Sequence, residues 1–292
     1  MHTPLPFDLF GASEAVGVSE PVSPIVISVP HAGRDYPLAL RAALRVPVEA
    51  LRPLEDRHVD TLAIAAHGRE TMLVQRRARA WIDLNRAENE RDPQIDSGAD
   101  RRLLGLPSAK LRGGLGLIPR RIASAGEIWR RKLDGEEVVA RIAGDHRPYH
   151  AALQAALQRT RDVFGIAILL DVHSMPSLPD GSQIVLGDRF GQSSAARFLS
   201  RLESETFAAG LSCAVNTPYA GGHILQRHGA PSHGIHAIQL EFDRALYLDA
   251  AHDQPGPGLT AMARLLRRMI DALADEALVD RAGADTTQLA AE

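Results

Sequence analysis

The sequence predicts an α/β layered fold with helices flanking a mixed, largely parallel central sheet, and three observations carry that expectation. Short apolar, β-branched runs alternate with longer amphipathic stretches, the order that builds βαβ units. Several of those runs end in polar residues, as strands do beneath a ligand crevice. A chain of 292 residues that is 45% hydrophobic and 24% charged has ordinary globular composition, enough for one large domain with a substantial core. A single domain over residues 1–292 is therefore expected.

Residues 25–29, Ile-Val-Ile-Ser-Val, read as a buried strand that delivers His31 just past its C-terminal end. Residues 59–68 predict a helix and 71–75 the next strand, and 79–84 suggest a further strand opening into a polar run that ends at Pro93. From about 93 to 132 the chain is Gly-rich and basic with weak periodicity, which predicts a long ordered excursion or a lid. Helix is expected over 127–132 and over 135–164, with Pro148 marking a break or a first turn. The most apolar run, 167–170, is a strand candidate leading straight into Asp171-Val-His-Ser174. Strands at 184–187 and 212–215, separated by a helix over 193–209, precede a late strand at 235–242 carrying Gln239 and Glu241. An amphipathic helix over 259–278 closes the domain, and the small, polar tail from about Asp280 is expected to fray.

Composition excludes several functions. Apolar stretches fall far below the roughly 18 residues a membrane-spanning helix needs, so no membrane partner is expected. Residues 1–11 carry neither a basic leader nor an apolar block, which predicts a cytoplasmic address. Cys213 is the single cysteine, so an internal disulfide and a thiolate metal cluster are both ruled out within the chain. The net charge of -3 offers no global attraction for nucleic acid. Between 101 and 132, however, nine cations face one anion, Glu127; this suits an anionic substrate or a solvated basic surface. Trp129 is the lone aromatic there, which argues against base stacking and hence against a nucleic-acid partner.

His31 and His173 share one placement, directly after or at the end of a buried strand, where a rigid support aims an imidazole at the crevice. Asp171 lies two residues before His173, on the same strand face, and is positioned to orient its ring. A catalytic zinc takes three protein ligands and keeps one position open. The third would come from Leu54-Glu-Asp-Arg-His-Val-Asp60, in which spacing leaves Glu55, Asp56, His58 and Asp60 all open and Asp56 also suits a helix cap.

Eight motifs then carry a resemblance: Ser28-Val-Pro-His-Ala-Gly33, Asp56-Arg-His58, Arg79-Ala-Trp-Ile-Asp-Leu-Asn-Arg86, Gly114-Leu-Gly-Leu-Ile-Pro119, Pro148-Tyr-His150, Asp171-Val-His-Ser-Met175, Asn216-Thr-Pro-Tyr-Ala-Gly-Gly222, and Gln239-Leu-Glu241 with Tyr247. In this order and spacing the chain resembles the N-formylglutamate amidohydrolase family over about residues 25–249. That family is similar in turn to zinc carboxypeptidases and aspartoacylase, which implies a zinc-carboxypeptidase-like fold. In those relatives the first His opens a His-x-x-Glu motif. Here Arg34 takes the Glu place, so the resemblance implies a displaced acidic ligand and assigns it to Asp56. Arg57 stands where the family usually has Trp.

The resemblance implies one Zn2+, or another divalent metal, on His31, Asp56 and His173. It implies hydrolysis of N-formyl-L-glutamate in histidine degradation, with Glu241 as acid/base and Arg79 stabilising the oxyanion. Asn85 and Arg86 would clamp a substrate carboxylate, Gln239 would face the crevice beside Glu241, and Tyr149 and His150 are expected as substrate contacts or a buried polar pair. The partner expected is thus a small anionic N-acyl amino acid. Another N-acyl amino acid is the alternative substrate, and a non-catalytic binder is opposed by the joint presence of His31, His173 and Glu241.

Overall fold

Nine consecutive residues of one strand, Ala167–Met175, are buried on both faces, and the rest of the molecule is arranged around them. The computed structural model describes residues 5–11, 20–100, 102, 106 and 108–289, with side chains described through Val279. Its strands are β1 (Phe7–Phe10), β2 (Ile25–Val29), β3 (Thr71–Gln75), β4 (Arg121–Ile122), β5 (Gly126–Glu127), β6 (Ala167–Met175), β7 (Ile184–Gly187), β8 (Cys213–Val215) and β9 (Ile235–Asp243). Seven form one sheet in the order β1-β3-β2-β6-β9-β7-β8, and β4 pairs with β5 apart from it. The β3-β2-β6-β9 centre is parallel, whereas β1 and β7 run antiparallel to their neighbours β3 and β9. The sheet is therefore mixed and largely parallel.

The helices are α1 (Leu38–Ala43), α2 (Val59–Ala66), α3 (Ala109–Arg112), α4 (Gly135–Arg141), α5 (Arg147–Phe164), α6 (Ala196–Ala208), α7 (His223–His228) and α8 (Leu259–Leu289). Because side chains alternate along a strand, each strand feeds two cores. Ile27, Ile168, Leu170, Ile238 and Leu240 pack with α2, α6 and α8 on one face. Val26, Leu169 and Ala237 pack with α1, α4, α5 and α7 on the other. This second face changes character toward the C-terminal strand ends. On β6 the series Ala167, Leu169 continues as Asp171, His173; on β9 Ala237 continues as Gln239, Glu241. The register sets Asp171 opposite Gln239 and His173 opposite Glu241.

Two local expectations are corrected, and the break expected near Pro148 is located. Residues 79–84 form turns, not a strand: Trp81 N–H donates to Ala78 O, and the Asp83 carboxylate takes the Asn85 N–H in a local turn that competes with extended pairing. Residues 127–132 are not helical, because Glu127 pairs in β5, Ile128 N–H donates to Arg120 O, and the Trp129 indole reaches Pro119 O. The 135–164 helix is broken by a π-helical turn over Ile142–His146, after which Pro148, lacking an N–H, sits in the first turn of α5. The edge strand β1 and the short helices α1 and α7 lie where the sequence predicts no element. α8 continues past the expected end at 278 to Leu289.

Several described cations of the 93–132 excursion are engaged within the protein. Arg120 meets Asp92 and Glu127, Arg130 reaches Leu44 O, and Lys132 reaches Pro93 O. Residues 101, 103–105 and 107 of this stretch lie outside the described set. Among the described residues, no helix is long and apolar enough to cross a membrane.

Candidate active site

A cleft of about 460 Å³ opens at the C-terminal ends of β2, β6 and β9, within the range of small-molecule sites. His31, Asp56 and His173, all buried, offer ligand atoms within 4.8 Å of one another at its base. Asp56 is brought there by backbone pairing, its N–H donating to His31 O at 3.0 Å. Its Oδ2 lies 2.8 Å from His173 Nδ1 and 3.7 Å from His31 Nδ1. The far nitrogen of each ring meets a second carboxylate: His31 Nε2 donates to Asp83 Oδ1 at 2.7 Å and His173 Nε2 to Asp171 Oδ2 at 2.9 Å. Asp171 is itself held by the Ser28 hydroxyl at 2.7 Å. Both imidazoles thus turn Nδ1 toward Asp56 while carboxylates behind them fix the ring, the arrangement that outer partners impose on metal-binding histidines.

The neighbours of Asp56 are committed elsewhere. Glu55 is held by Tyr36 and Arg57, His58 Nε2 by Asp253 O, and Asp60 by Arg34. Arg34 and Arg57 therefore organise the rim of this segment rather than the metal group.

The charge environment follows from burial and these partners. Burial opposes ionisation of Asp56, but the hydrogen bond from His173 and the nearby imidazole of His31 prevail and hold it well below the usual carboxylate range. For Asp83 burial is likewise overcome, by Arg79, His31 and Arg86. His173 is raised well above the usual imidazole value: burial alone would lower it, and the Asp171 and Asp56 carboxylates dominate. Burial pushes Glu241 up to about 7, with Asp56 adding in the same direction and His173 and Arg79 opposing. A carboxyl poised near neutrality beside an acid-rich histidine pair has the properties of a general acid/base.

Glu241 accepts a hydrogen bond from Gln239 Nε2 at 2.8 Å, and both line the cleft. Asn85 also lines it, with its Oδ1 taking the Ile224 N–H at the start of α7. Arg86 is anchored through Nε to Leu115 O and Nη1 to Asn85 O. Arg79 lines the wall with Nε and Nη2 both 2.8 Å from Asp83 Oδ2.

Tyr149 and His150 are placed elsewhere. Both are fully buried behind the wall, Tyr149 hydroxyl on Ser28 Oγ at 2.9 Å and His150 Nε2 on Leu84 O at 3.0 Å, and neither lines the cleft. Expecting them as substrate contacts is corrected to the buried polar pair, because α5 packs its inner face against β2 and β6 rather than the opening.

Lys110, Tyr219 and Arg244 also line the cleft, and the sequence assigns none of them a role in the site. Lys110 lies in the basic excursion, and its Nζ sits 5.9 Å from the Tyr219 ring centre. Burial, then Arg86 and Arg79, lowers its pKa. Arg244 follows β9 and donates to Glu55 O at 2.7 Å and toward Asp56 Oδ1 at 3.4 Å. The signal for it was its position just beyond the strand end that carries Glu241.

The model of the N-formylglutamate amidohydrolase family matches residues 23–248. The chain is 35% identical over 236 residues to the N-formylglutamate deformylase of Pseudomonas putida, covering 77% of this chain and 82% of that protein. It is 31% identical over 239 residues to that of Pseudomonas aeruginosa, with the same coverage. The crystal structure of N-formylglutamate amidohydrolase from Ralstonia eutropha JMP134 superposes with a TM-score of 0.82 at 31% identity, over 96% of this chain and 100% of that one. A gene product of Agrobacterium tumefaciens shares the fold at 16% identity, with a TM-score of 0.65 over 94% of this chain and 96% of that one.

Proposed function

Since the chain belongs to the N-formylglutamate amidohydrolase family, we propose that it hydrolyses N-formyl-L-glutamate to formate and L-glutamate with a zinc ion on His31, Asp56 and His173. The observation that carries this reading is the convergence of those three side chains beside Glu241, whose strand register faces His173. The donor set suits the ion: two imidazoles and one carboxylate are a catalytic zinc complement that leaves a position open. The surroundings suit it too, because Asp56, Asp83, Asp171 and Glu241 supply the negative charge a dication needs. Zinc would supply Lewis acidity to the formyl carbonyl and to water.

Glu241 would take a proton from the attacking water and return it to the amide nitrogen as the C–N bond breaks, so that formate and the amino group of glutamate leave. A well-placed acid/base contributes roughly 100-fold to 10,000-fold. Gln239 holds the Glu241 carboxyl in place through its amide. Arg79, fixed by Asp83, would face the charge that develops on the carbonyl oxygen. Arg86 and Lys110 offer cations on the wall to the two carboxylates of the substrate, and guanidinium geometry suits a bidentate carboxylate.

Purified protein loaded with zinc, and the same protein stripped by chelator, are to be compared for formate release from N-formylglutamate and for acetate release from N-acetylglutamate. Zinc-dependent formate release is the expected result. Acetate release without formate release would replace the substrate with another N-acyl amino acid, and hydrolysis that persists after full metal removal would overturn the role given to the triad.

A further inference from the structure

Behind the wall that carries Asn85 and Arg86 lies a second group of imidazoles. His146 ends the π-helical turn, His150 follows one turn later on α5, and His223 begins α7. Each presents one ring nitrogen, and these lie within 4.8 Å of one another. His146 and His150 are fully buried and His223 is half-buried.

Hydrogen bonding fixes two of the tautomers. His146 Nε2 lies 2.9 Å from Arg86 O and His150 Nε2 lies 3.0 Å from Leu84 O. A carbonyl only accepts, so both rings carry a proton on Nε2, and burial keeps them neutral. Each therefore turns a lone pair outward from Nδ1. His146 Nδ1 and His223 Nε2 are buried without a hydrogen-bond partner, an uncommon condition for polar atoms in a folded core. His150 Nδ1 is 2.9 Å from His228 Nε2. Backbone carbonyls fixing the far nitrogen of neutral histidines are the partners that metal-binding imidazoles usually have, and π-turns within helices cluster at functional sites.

We propose that His146, His150 and His223 form a second metal site, distinct from the His31, Asp56 and His173 group, for a borderline divalent ion such as zinc. Three nitrogen donors favour zinc, nickel or copper over magnesium or calcium. Tetrahedral zinc with bonds of ~2.0–2.1 Å separates its ligand atoms by about 3.3 Å. The widest edge of the cluster therefore contracts by at most about 1.5 Å, and His228 gives up its contact with His150 Nδ1. Glu88 Oε1, 3.8 Å from His146 Nδ1, adds negative charge alongside. The site would tie α5 to α7 behind the cleft. His146 and His150 grip the backbone on either side of Asn85, and the residue after His223 donates its N–H to Asn85 Oδ1. Its role is thus to position the substrate wall, not to act on substrate.

Zinc content after stripping, reloading and dialysis tests this. The His31→Ala, His173→Ala double variant lacks the first group and is expected to retain one zinc per chain, with a raised Tm on zinc addition. Adding His223→Gln should abolish that zinc. In the otherwise unaltered chain, His223→Gln should reduce zinc from two per chain to one; this half-buried position gives a readout even if the double variant fails to fold. Cobalt loading of the double variant should give the visible absorption of a tetrahedral nitrogen-rich site. One zinc per chain both with and without His223→Gln would overturn the proposal and leave a bridging water as the partner of these lone pairs. Zinc retained after His223→Gln in the double variant would likewise overturn it by placing the ion elsewhere. Loss of zinc from the double variant, with His223→Gln still lowering wild-type zinc, would mean that the second site depends on the first and would overturn its independence.

Discussion

His31 donates its Nε2 proton to Asp83 Oδ1 at 2.7 Å, while the other oxygen of the same carboxylate holds Arg79. One buried acid thereby orients both a metal-group imidazole and a wall cation. Asp83→Asn keeps the shape but loses the charge, and the amide can present its NH2 to His31. Zinc affinity at the triad should fall about 10-fold to 100-fold, as is typical when such an outer partner is lost. Chelator competition measures it; unchanged affinity would show that Asp83 serves Arg79 alone.

Gln239 and Glu241 are neighbours on one strand face, joined at 2.8 Å. Glu241→Gln retains size and hydrogen bonding and removes the base, so kcat should fall at least about 100-fold with zinc content unchanged. Turnover close to wild type would remove Glu241 from the chemistry.

The central sheet was legible because its strands are short, β-branched and bounded by polar residues: the Ile25–Val29 and Thr71–Gln75 strands begin and end where periodicity predicts. The polar face of the cleft was legible for a related reason, since Asp171 with His173, and Gln239 with Glu241, obey the two-residue period of a strand. Residues 79–86 were not, because their conformation is dictated by the Asp83 carboxylate and its three tertiary or turn partners, which leave no local pattern. Nor was the choice among Glu55, Asp56, His58 and Asp60. It depends on which neighbours Arg57, Asp253 and Arg34 occupy, and those contacts span distant parts of the chain. Tyr149 and His150 illustrate the limit of motif reading: they lie close to the site in space and face away from it.

Lys110 turns part of the basic excursion into cleft wall, with its pKa lowered by burial and by Arg86 and Arg79. A cation held beside other cations attracts an anionic ligand that relieves the repulsion. Lys110→Met should raise KM for N-formylglutamate about tenfold or more with a smaller change in kcat. Initial-rate kinetics with substrates bearing one or two carboxylates check this, and an equal effect on both would deny Lys110 a role in reading the second carboxylate.

Arg86 and Arg79 should separate kinetically. Arg86→Lys keeps the charge but loses the fork and the anchoring bonds to Leu115 O and Asn85 O, so KM should rise at least severalfold while kcat changes less. Arg79→Lys should chiefly lower kcat, by about tenfold or more, through weaker stabilisation of the developing oxyanion. The same pattern in both variants would refute this division.

His236 is buried on β9, its ring 4.8 Å from that of Phe198 and its Nδ1 accepting the Ala195 N–H at 3.2 Å. Burial, reinforced by Arg197, pushes its pKa down to about 4. The unfolded chain takes up a proton at this histidine near pH 6.5. Between about pH 6.5 and 4 the unfolded state therefore binds more protons than the folded one, and stability falls as the pH is lowered through that window. Above and below it this group adds no slope. His236→Gln retains an acceptor for the Ala195 N–H and cannot titrate, so its denaturation midpoint should fall less steeply across the window, by the slope of up to about one proton. The buried imidazoles of His223 and His228, lowered to about 4 and about 3 by burial, keep a residual slope in the variant. Urea denaturation at half-unit pH steps from 7 to 4 measures the difference, and identical slopes in the two proteins would mean that His236 is protonated in the folded state without cost.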